Sequence, residues 1–144
     1  MKQLIHKLTA YLVAAFALIF SLASCFQKPP LVLEVAETYI VIEPDNDQIP
    51  ITENMTLLDC MQELKEDGEL QFELKDGMIT SVNGIENAAD WSNCWMLYTS
   101  DEDNANTAWG TVEYVTQVFG SAISGAETLK IKDGYLYIWV YQSF

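Results

Sequence analysis

The sequence predicts an α+β domain, in which a mixed sheet has one main helix packed on one face. Two observations predict it. One segment, residues 56–67, carries apolar residues at the spacing of an amphipathic helix. Several other short segments either alternate apolar and polar residues or are apolar throughout, as β-strands are. Some of them end at turn dipeptides such as Asn-Gly and Asp-Gly. Since a single helix can bury its apolar stripe only against the sheet that these strands form, the class is α+β.

The first residues have the pattern of a secretory leader. Two lysines, Lys2 and Lys7, precede an uncharged apolar run over residues 8–23. Residues 22–25, LASC, resemble the bacterial lipobox, which implies cleavage before Cys25 and attachment of lipid to that cysteine. We therefore expect a lipoprotein signal peptide at residues 1–24 and an acylated cysteine with a short tether at residues 25–30. The alternative is an uncleaved anchor helix, because the apolar run is nearly long enough to span a bilayer.

Charge excludes several function classes. Two of the seven basic residues lie in the leader, which leaves five against 21 acidic residues, a formal charge of −16 on the mature chain. Without arginine or a basic cluster, nucleic acid is not an expected partner. The single histidine, His6, also lies in the leader, so the mature chain cannot build a Ser-His-Asp triad or a histidine metal site. We expect a non-catalytic monomer without metal or cofactor, held by lipid on the extracytoplasmic side of a bacterial membrane.

The predicted domain, residues 31–144, begins with strands. Residues 31–42 alternate for most of their length and predict one strand or half of a hairpin. Residues 48–51 predict a short edge strand, since Pro50 suits an edge better than a sheet interior. Further strands are predicted at residues 70–74, 78–82, 94–99 and 135–141, with a small hairpin within residues 111–123.

The main helix is predicted to begin at Thr56 and to end at Asp67. Asn54 or Thr56 can cap its start with a side-chain oxygen. Gly68 can adopt the left-handed conformation that ends many helices. The side chains on its apolar face are Leu57, Cys60, Met61 and Leu64.

Five short motifs, taken together in their order along the chain, indicate a resemblance to a known domain family. They are TLLD at residues 56–59, ITSVNGI at 79–85, WMLY at 95–98, SGA at 124–126 and KDG at 132–134. Together they resemble the C-terminal domain of transcobalamin and intrinsic factor, and the bacterial families built on that module alone. The resemblance covers roughly residues 34–142. It implies a β-grasp-like fold and a ligand-facing surface, with cobalamin as a candidate ligand.

Aromatic side chains are the candidate contacts for that ligand, because amphipathic rings suit flat organic molecules and protein partners alike. Strand alternation places Trp95 and Tyr98 on opposite faces of their strand. In the last strand, an aliphatic row is expected to meet the helix, which leaves the row of tyrosines and tryptophan partly accessible. For Trp95 and Trp139, burial in the core is the alternative. The residues assigned to ligand binding are Trp91, Trp95, Tyr98, Trp109, Trp139 and Tyr141.

Two cysteines remain after acylation. Cys60 and Cys94 in an exported domain predict a disulfide, which would stabilise the fold by about 3–4 kcal/mol. Two separate buried thiols are the alternative.

Asp101, Asp103 and Asn104 superficially suggest a calcium loop, but the glycine and glutamate that such a loop needs are missing, so a solvated loop is predicted.

The sequence thus predicts a membrane-anchored lipoprotein that binds a small organic ligand, with cobalamin among the candidates. The alternative is a module that binds a protein partner in the cell envelope.

Overall fold

The computed structural model of the chain describes residues 32–36 and 38–144, and for residues 32–36 only the strand that they form. The signal peptide, Cys25 and the tether lie outside the described residues, so these three assignments stay predictions. None of the helices in the described part combines the length and the apolar character needed to cross a bilayer.

The described chain consists mostly of strands with one short α-helix, which confirms the α+β prediction in its coarse form. The elements, in chain order, are β1 (Val32–Ala36), β2 (Tyr39–Ile42), α1 (Leu57–Glu66), β3 (Phe72–Lys75), β4 (Met78–Val82), β5 (Ile85–Glu86), β6 (Asn93–Thr99), a 3-10 turn (Glu102–Asn104), β7 (Ala105–Tyr114), β8 (Gln117–Ala122) and β9 (Tyr137–Ser143).

The strands form two sheets. Six strands form the large sheet in the order β1-β2-β9-β6-β8-β7, and β3-β4-β5 form a small one. Every pairing within the described sheets is antiparallel, so the predicted mixed sheet is wrong. Residues 31–42 contain a hairpin of two strands, and the predicted edge strand at residues 48–51 is an irregular segment outside any strand.

The helix has the predicted limits. Thr56 is the N-cap: its hydroxyl accepts from the N–H of Asp59, and the Asp59 carboxylate accepts from the N–H of Thr56. This capping box satisfies two N–H groups that an α-helix start leaves without partners. Asp67 is the C-cap, and Gly68 follows with φ of +79°. The helix therefore begins and ends where local chemistry requires it.

One face of the large sheet forms the main core with α1 and the small sheet. The predicted apolar face of the helix is buried in it. So are Tyr137 and Trp139 of β9, with Tyr141 packed against them. The expectation that the aliphatic row of β9 meets the helix is therefore wrong, because the aromatic row does. The cause is register: Trp139 lies opposite Ile40 and Leu97, and all three share the helix-facing side.

The opposite face of the sheet carries a second cluster of buried residues. Ile138 of β9 lies in it with Val41, Tyr98 and Phe119. The rings of Tyr39 in β2 and Tyr114 in β7 have centroids 5.7 Å apart, although three strands separate β2 from β7 in the sheet. The large sheet is therefore strongly curled, and the β7–β8 hairpin packs over this second face.

Three hairpin turns have two residues with positive φ, the arrangement that type I′ turns require. Asp76-Gly77 and Asn83-Gly84 in the small sheet are sequences that suit it, and turns at both were predicted. The β7–β8 turn instead uses Val115 and Thr116, with φ of +45° and +67°. A β-branched residue in the left-handed region is strained.

Replacing Val115 and Thr116 with Asn-Gly is expected to raise the free energy of unfolding by about 1 kcal/mol, because the strain is released. Urea unfolding followed by circular dichroism measures it. Asp76→Asn is the matched control, since that turn is already favourable and little change is expected. An unchanged or lower midpoint for the double variant would show that the β7–β8 turn is not strained.

Candidate functional site

A groove of about 410 Å³ lies on the helix-facing side of the large sheet. Its floor includes Trp95 and Leu97 of β6 and Trp139 of β9. The beginning of β4 and the loop segment 121–126, which begins at the end of β8, form its walls, and Trp91 lies at its rim. The side chains and backbone that line it carry no charged group: Gly77, Met78, Ile79, Asn87, Trp91, Cys94, Trp95, Met96, Leu97, Ser121, Ala122, Ile123, Ser124, Gly125, Ala126 and Trp139.

Trp91 is half-exposed (51%) and has a left-handed backbone with φ of +60°. A bulky residue pays a steric cost for this conformation, on the order of 1–3 kcal/mol. Neighbouring bonds hold the loop in place. The N–H of Trp91 donates to Ala88 O, and the Asp90 carboxylate accepts from the hydroxyl and N–H of Ser92. These bonds from Ser92 lower the pKa of Asp90. The local fold thus keeps a large indole at the rim of an apolar groove.

Trp95 is fixed in the floor. Its Nε1–H donates to Ile85 O at 2.8 Å, and its ring contacts Tyr141 with centroids 5.4 Å apart. The Tyr141 hydroxyl donates to Glu86 O. These contacts join the end of the small sheet to the large one, so Trp95 and Tyr141 both serve the fold. Trp95 still presents part of its ring to the groove.

Asn87 connects the two sheets beside the groove. Its Oδ1 accepts from the Trp95 N–H at 2.9 Å, and its Nδ2 donates to Ile79 O at 3.0 Å. Its own N–H donates to Thr80 O. The side chain therefore uses both ends of its amide to hold β4 and β6 at a fixed separation, which sets the width of the groove.

The opposite wall is fixed by the beginning of α1. The N–H groups of Leu57 and Leu58 donate to Leu129 O and Ala126 O. These are N–H groups that a helix start leaves without an internal partner. A Cβ on Gly77 would lie 2.8 Å from Glu127 Oε2, so the Glu127 carboxylate lies next to Gly77, one of the residues that line the groove.

The structure brings together three of the six residues assigned to ligand binding, namely Trp91, Trp95 and Trp139. The other three do not line the groove. Tyr141 packs against Trp95 in the main core. Tyr98 is buried in the second cluster, where its hydroxyl donates to Gln142 Oε1. Trp109 is 63% exposed on the far edge strand. Met78, Asn87 and the loop segment 121–126 also line the groove and were not assigned to it from the sequence.

Cys60 and Cys94 are free and buried, so the predicted disulfide is absent. The reason is alternation along β6. Cys94 shares the face of Met96 and Tyr98, whereas Cys60 is on the helix that packs against the opposite face. Burial, with a contribution from Glu63, raises the pKa of Cys60 to about 12, and burial also raises the pKa of Cys94.

Both thiols are therefore expected to be protonated and slow to react in the folded protein. Treating the unfolded protein with iodoacetamide, without a reductant, should alkylate Cys60 and Cys94, and the masses of the two cysteine peptides after proteolysis show it. The folded protein provides the comparison. Recovery of a Cys60–Cys94 linked peptide would contradict the structure.

Asp101 is nearly fully buried (1% exposed) and is held by a basic partner. It accepts from Lys132 Nζ at 2.8 Å and from Asn104 Nδ2 at 2.7 Å. Burial favours a higher pKa for Asp101, but the hydrogen bonds from Lys132 and Asn104 outweigh it, so its pKa lies below the usual value. The loop after β6 is therefore not simply solvated. No group of three or more His, Cys, Asp or Glu side chains in residues 38–144 is arranged to hold a metal.

Asp101→Asn is expected to cost about 2 kcal/mol of stability at neutral pH. Because the folded pKa of Asp101 is lowered, this contribution is complete above the ordinary carboxyl pKa and is lost as the pH falls through the folded value. The difference in unfolding free energy between wild type and variant should therefore shrink below about pH 4. Urea unfolding at a series of pH values measures it. A difference independent of pH would rule out the ion pair as its source.

Comparison of the chain with protein-family models, with curated proteins and with solved structures finds no match.

Proposed function

We propose that this chain is a lipid-anchored extracytoplasmic protein whose domain binds a small organic ligand in the groove and leaves it chemically unchanged. The groove itself carries the proposal. Three tryptophans line it, one of them half-exposed on a strained backbone, and no lining side chain is charged. Concave apolar sites of this size with a few polar groups are typical of small-molecule sites. Strain kept in a surface loop is typical of functional positions.

The ligand class follows from the lining. Indole faces favour flat molecules, and a groove without charge favours neutral ones. At about 410 Å³ the groove can hold only an edge of a corrinoid, whereas a bicyclic or tricyclic molecule fits as a whole. We therefore place a small flat organic molecule ahead of cobalamin, which remains a candidate.

The relation to the transcobalamin C-terminal domain, and the β-grasp-like fold that it implies, belong to the same proposal. The positions of the resembling motifs in the fold support this relation. Residues 95–97 provide part of the groove floor, segment 124–126 part of one wall, and Ile79 part of the other. Segment 56–59 forms the capping box. Three of the five motifs, distant from one another in the sequence, thus contribute residues to one groove.

The test is a titration followed by tryptophan fluorescence, corrected for ligand absorbance. Residues 26–144 are used, since the two clusters of buried residues, with the residues packed against them, lie within residues 39–141. The probes are cyanocobalamin and quinoline. Trp91→Ala should weaken saturable binding by about 5-fold to 150-fold, because base-like stacking on one ring contributes about 1–3 kcal/mol. Trp109→Ala is the matched control and should bind as wild type does.

Saturable binding that is equal in wild type and Trp91→Ala would remove the groove from the proposal. No binding of either probe at millimolar concentration would favour the second candidate, a protein-binding module.

That second candidate has its own observation. The β7–β8 hairpin exposes Trp109 (63%), Val115 and Val118. The pairing register between β7 and β8 also shifts between Asn106 and Thr111. Tryptophan on an edge strand is a frequent anchor in protein interfaces. Under this candidate, crosslinking in the envelope recovers one protein partner from wild type and Trp91→Ala, but not from Trp109→Ala.

A further inference from the structure

Strands β6 and β8 separate at one end of the large sheet. Their pairing stops at Thr99 and Gly120, because the chain beyond β6 enters the 3-10 turn while β8 extends back to Gln117. Residues 117–119 therefore have β7 on one side and no strand on the other. A cleft of about 600 Å³ lies there and shares no lining residue with the groove. It is lined by Thr99, Ser100, Glu102, Ala105, Asn106, Thr107, Gln117, Val118, Phe119 and Gly120.

Strand alternation shows which backbone groups of β8 point into this cleft. The N–H of Ser100 donates to Leu136 O, so Ser100 bonds towards β9 and its neighbour Thr99 bonds towards β8. Gly120 lies opposite Thr99 and therefore bonds towards β6. Val118 is two residues from Gly120 in the same strand, so its N–H and C=O point the same way.

No residue in the described part of the chain pairs with these two groups of Val118. The position opposite Val118 would be Asp101. The N–H of Asp101 instead donates to the Thr99 hydroxyl, and its carbonyl accepts from the N–H of Asn104. On the other side, Glu113 of β7 lies opposite Val118 in a pair without hydrogen bonds, since Val118 points away from β7. Val118, which is 63% exposed, thus has a free donor and a free acceptor, as a residue of an edge strand does.

A free donor and a free acceptor on one strand residue fit another polypeptide backbone. A residue of an antiparallel partner exchanges both hydrogen bonds with the residue opposite. Proteins that bind extended peptides in this way add the peptide to a sheet as a further strand. The volume of the cleft is also within the range of ligand sites. The chemistry of the cleft is therefore that of a site for a peptide.

Charge selects among peptides. Glu102 is the one charged residue in the lining, and the side chain of the neighbouring Asp103 is 89% exposed. Lys132, which contacts Asp103, is already paired with Asp101. Because the mature chain has a formal charge of −16, it repels a second copy and acidic peptides and attracts basic ones.

We propose that this cleft binds an extended basic peptide of a partner protein, and that one residue of the peptide exchanges both backbone hydrogen bonds with Val118. The peptide lies against β8 where β6 ends, with a lysine or arginine beside Glu102. This interaction goes beyond the proposed function and does not depend on it, since the cleft and the groove are separate.

The test titrates residues 26–144 with a blocked five-residue peptide of alternating lysine and valine, followed in the ¹⁵N–¹H spectrum. One comparison peptide has a methyl group on every backbone nitrogen, and another has glutamate in place of lysine. Val118→Pro removes the N–H that faces the cleft and no bond to β7. Val118→Ala is its matched control, because it shortens the side chain and keeps the N–H.

The expected result is a downfield shift of the Val118 amide proton as the lysine–valine peptide binds. Methylation should weaken binding about tenfold, because it removes the donor to Val118 O and places a methyl group against β8. Val118→Pro should weaken binding about fivefold, whereas Val118→Ala should bind as wild type does. The glutamate–valine peptide should not saturate at the same concentrations.

The charge is tested separately. Glu102→Gln should weaken binding of the lysine–valine peptide about threefold. Glu127→Gln is the matched control and should leave binding unchanged, because Glu127 lies next to Gly77 at the groove instead.

Equal binding of the methylated peptide would overturn this inference, and it decides alone if Val118→Pro does not fold. A folded Val118→Pro that binds as Val118→Ala does would also overturn it. So would self-association that Val118→Pro abolishes, because the cleft would then hold a second copy. No saturable binding of the lysine–valine peptide at millimolar concentration would overturn it too, and the proposed function would stand, since Trp91→Ala and its own probes test that function.

Discussion

Ile138→Ala is expected to lower the free energy of unfolding by about 3 kcal/mol, although the sequence alone places this residue against the helix and the structure does not. Ile138 is fully buried in the second cluster with Tyr98 and Phe119. Removal of buried methyl groups costs their transfer free energy and leaves a cavity that the surroundings fill only in part. Urea unfolding of the purified variant measures the loss.

A double-mutant cycle shows which face Ile138 occupies. The milder changes Ile138→Val and Phe119→Leu should be non-additive, by about 0.5 kcal/mol or more, because both lie in the same cluster. Ile138→Val combined with Leu64→Val should be additive, because Leu64 is in the core on the other side of the sheet. Coupling to Leu64 and none to Phe119 would show that the assignment of faces is wrong.

Asn87→Asp is expected to cost about 2 kcal/mol and to weaken ligand binding in the same protein. The carboxylate can still accept from the Trp95 N–H, but it has no donor for Ile79 O, which is bonded to Asn87 Nδ2 at 3.0 Å. Two oxygens then face each other across the joint between the sheets. The wall formed by β4 should move away from β6 and widen the groove.

Asn83→Asp is the matched control for that change. Asn83 Oδ1 accepts from the Gln71 N–H, and a carboxylate can do the same in a turn that tolerates aspartate. Stability and ligand affinity should therefore stay close to those of wild type. If Asn87→Asp behaves like Asn83→Asp, the Asn87 side chain does not set the spacing of the two sheets.

The features that the sequence predicts well are the helix limits and the tight turns. The helix limits follow from Thr56, Asp59 and Gly68, which lie within twelve residues of one another along the chain. The Asp76-Gly77 and Asn83-Gly84 turns follow from residues that tolerate positive φ. Each of these features is decided by neighbours in sequence, so a pattern is sufficient to find it.

The orientation of β9 is different. Both of its faces are apolar, one aromatic and one aliphatic, so alternation separates the rows without stating which meets the helix. Register with β2 and β6 decides that, and register arises from contacts between residues 38 to 101 positions apart in sequence. The error about Cys60 and Cys94 is of the same kind, because two cysteines in an exported domain predict a disulfide, and only the fold places Cys94 on the face away from the helix.

The groove was predictable in part for the same reasons. Tryptophans can be identified as candidate contacts from composition, but only the fold separates Trp91, Trp95 and Trp139 from Trp109. Asn87 could not be found in this way, since nothing in its sequence neighbourhood shows that its amide bonds β4 and β6. The signal that did exist was the run of small residues at 124–126, which forms one wall.

The most direct test of the account is the mass of the protein recovered from its own membrane, measured under native and then denaturing conditions. The account predicts a diacylglyceryl adduct on Cys25 and one small neutral molecule that is retained in the native spectrum, is released on denaturation and is absent from Trp91→Ala. A chain that carries no lipid, and that holds no small molecule in either wild type or Trp109→Ala, would contradict it.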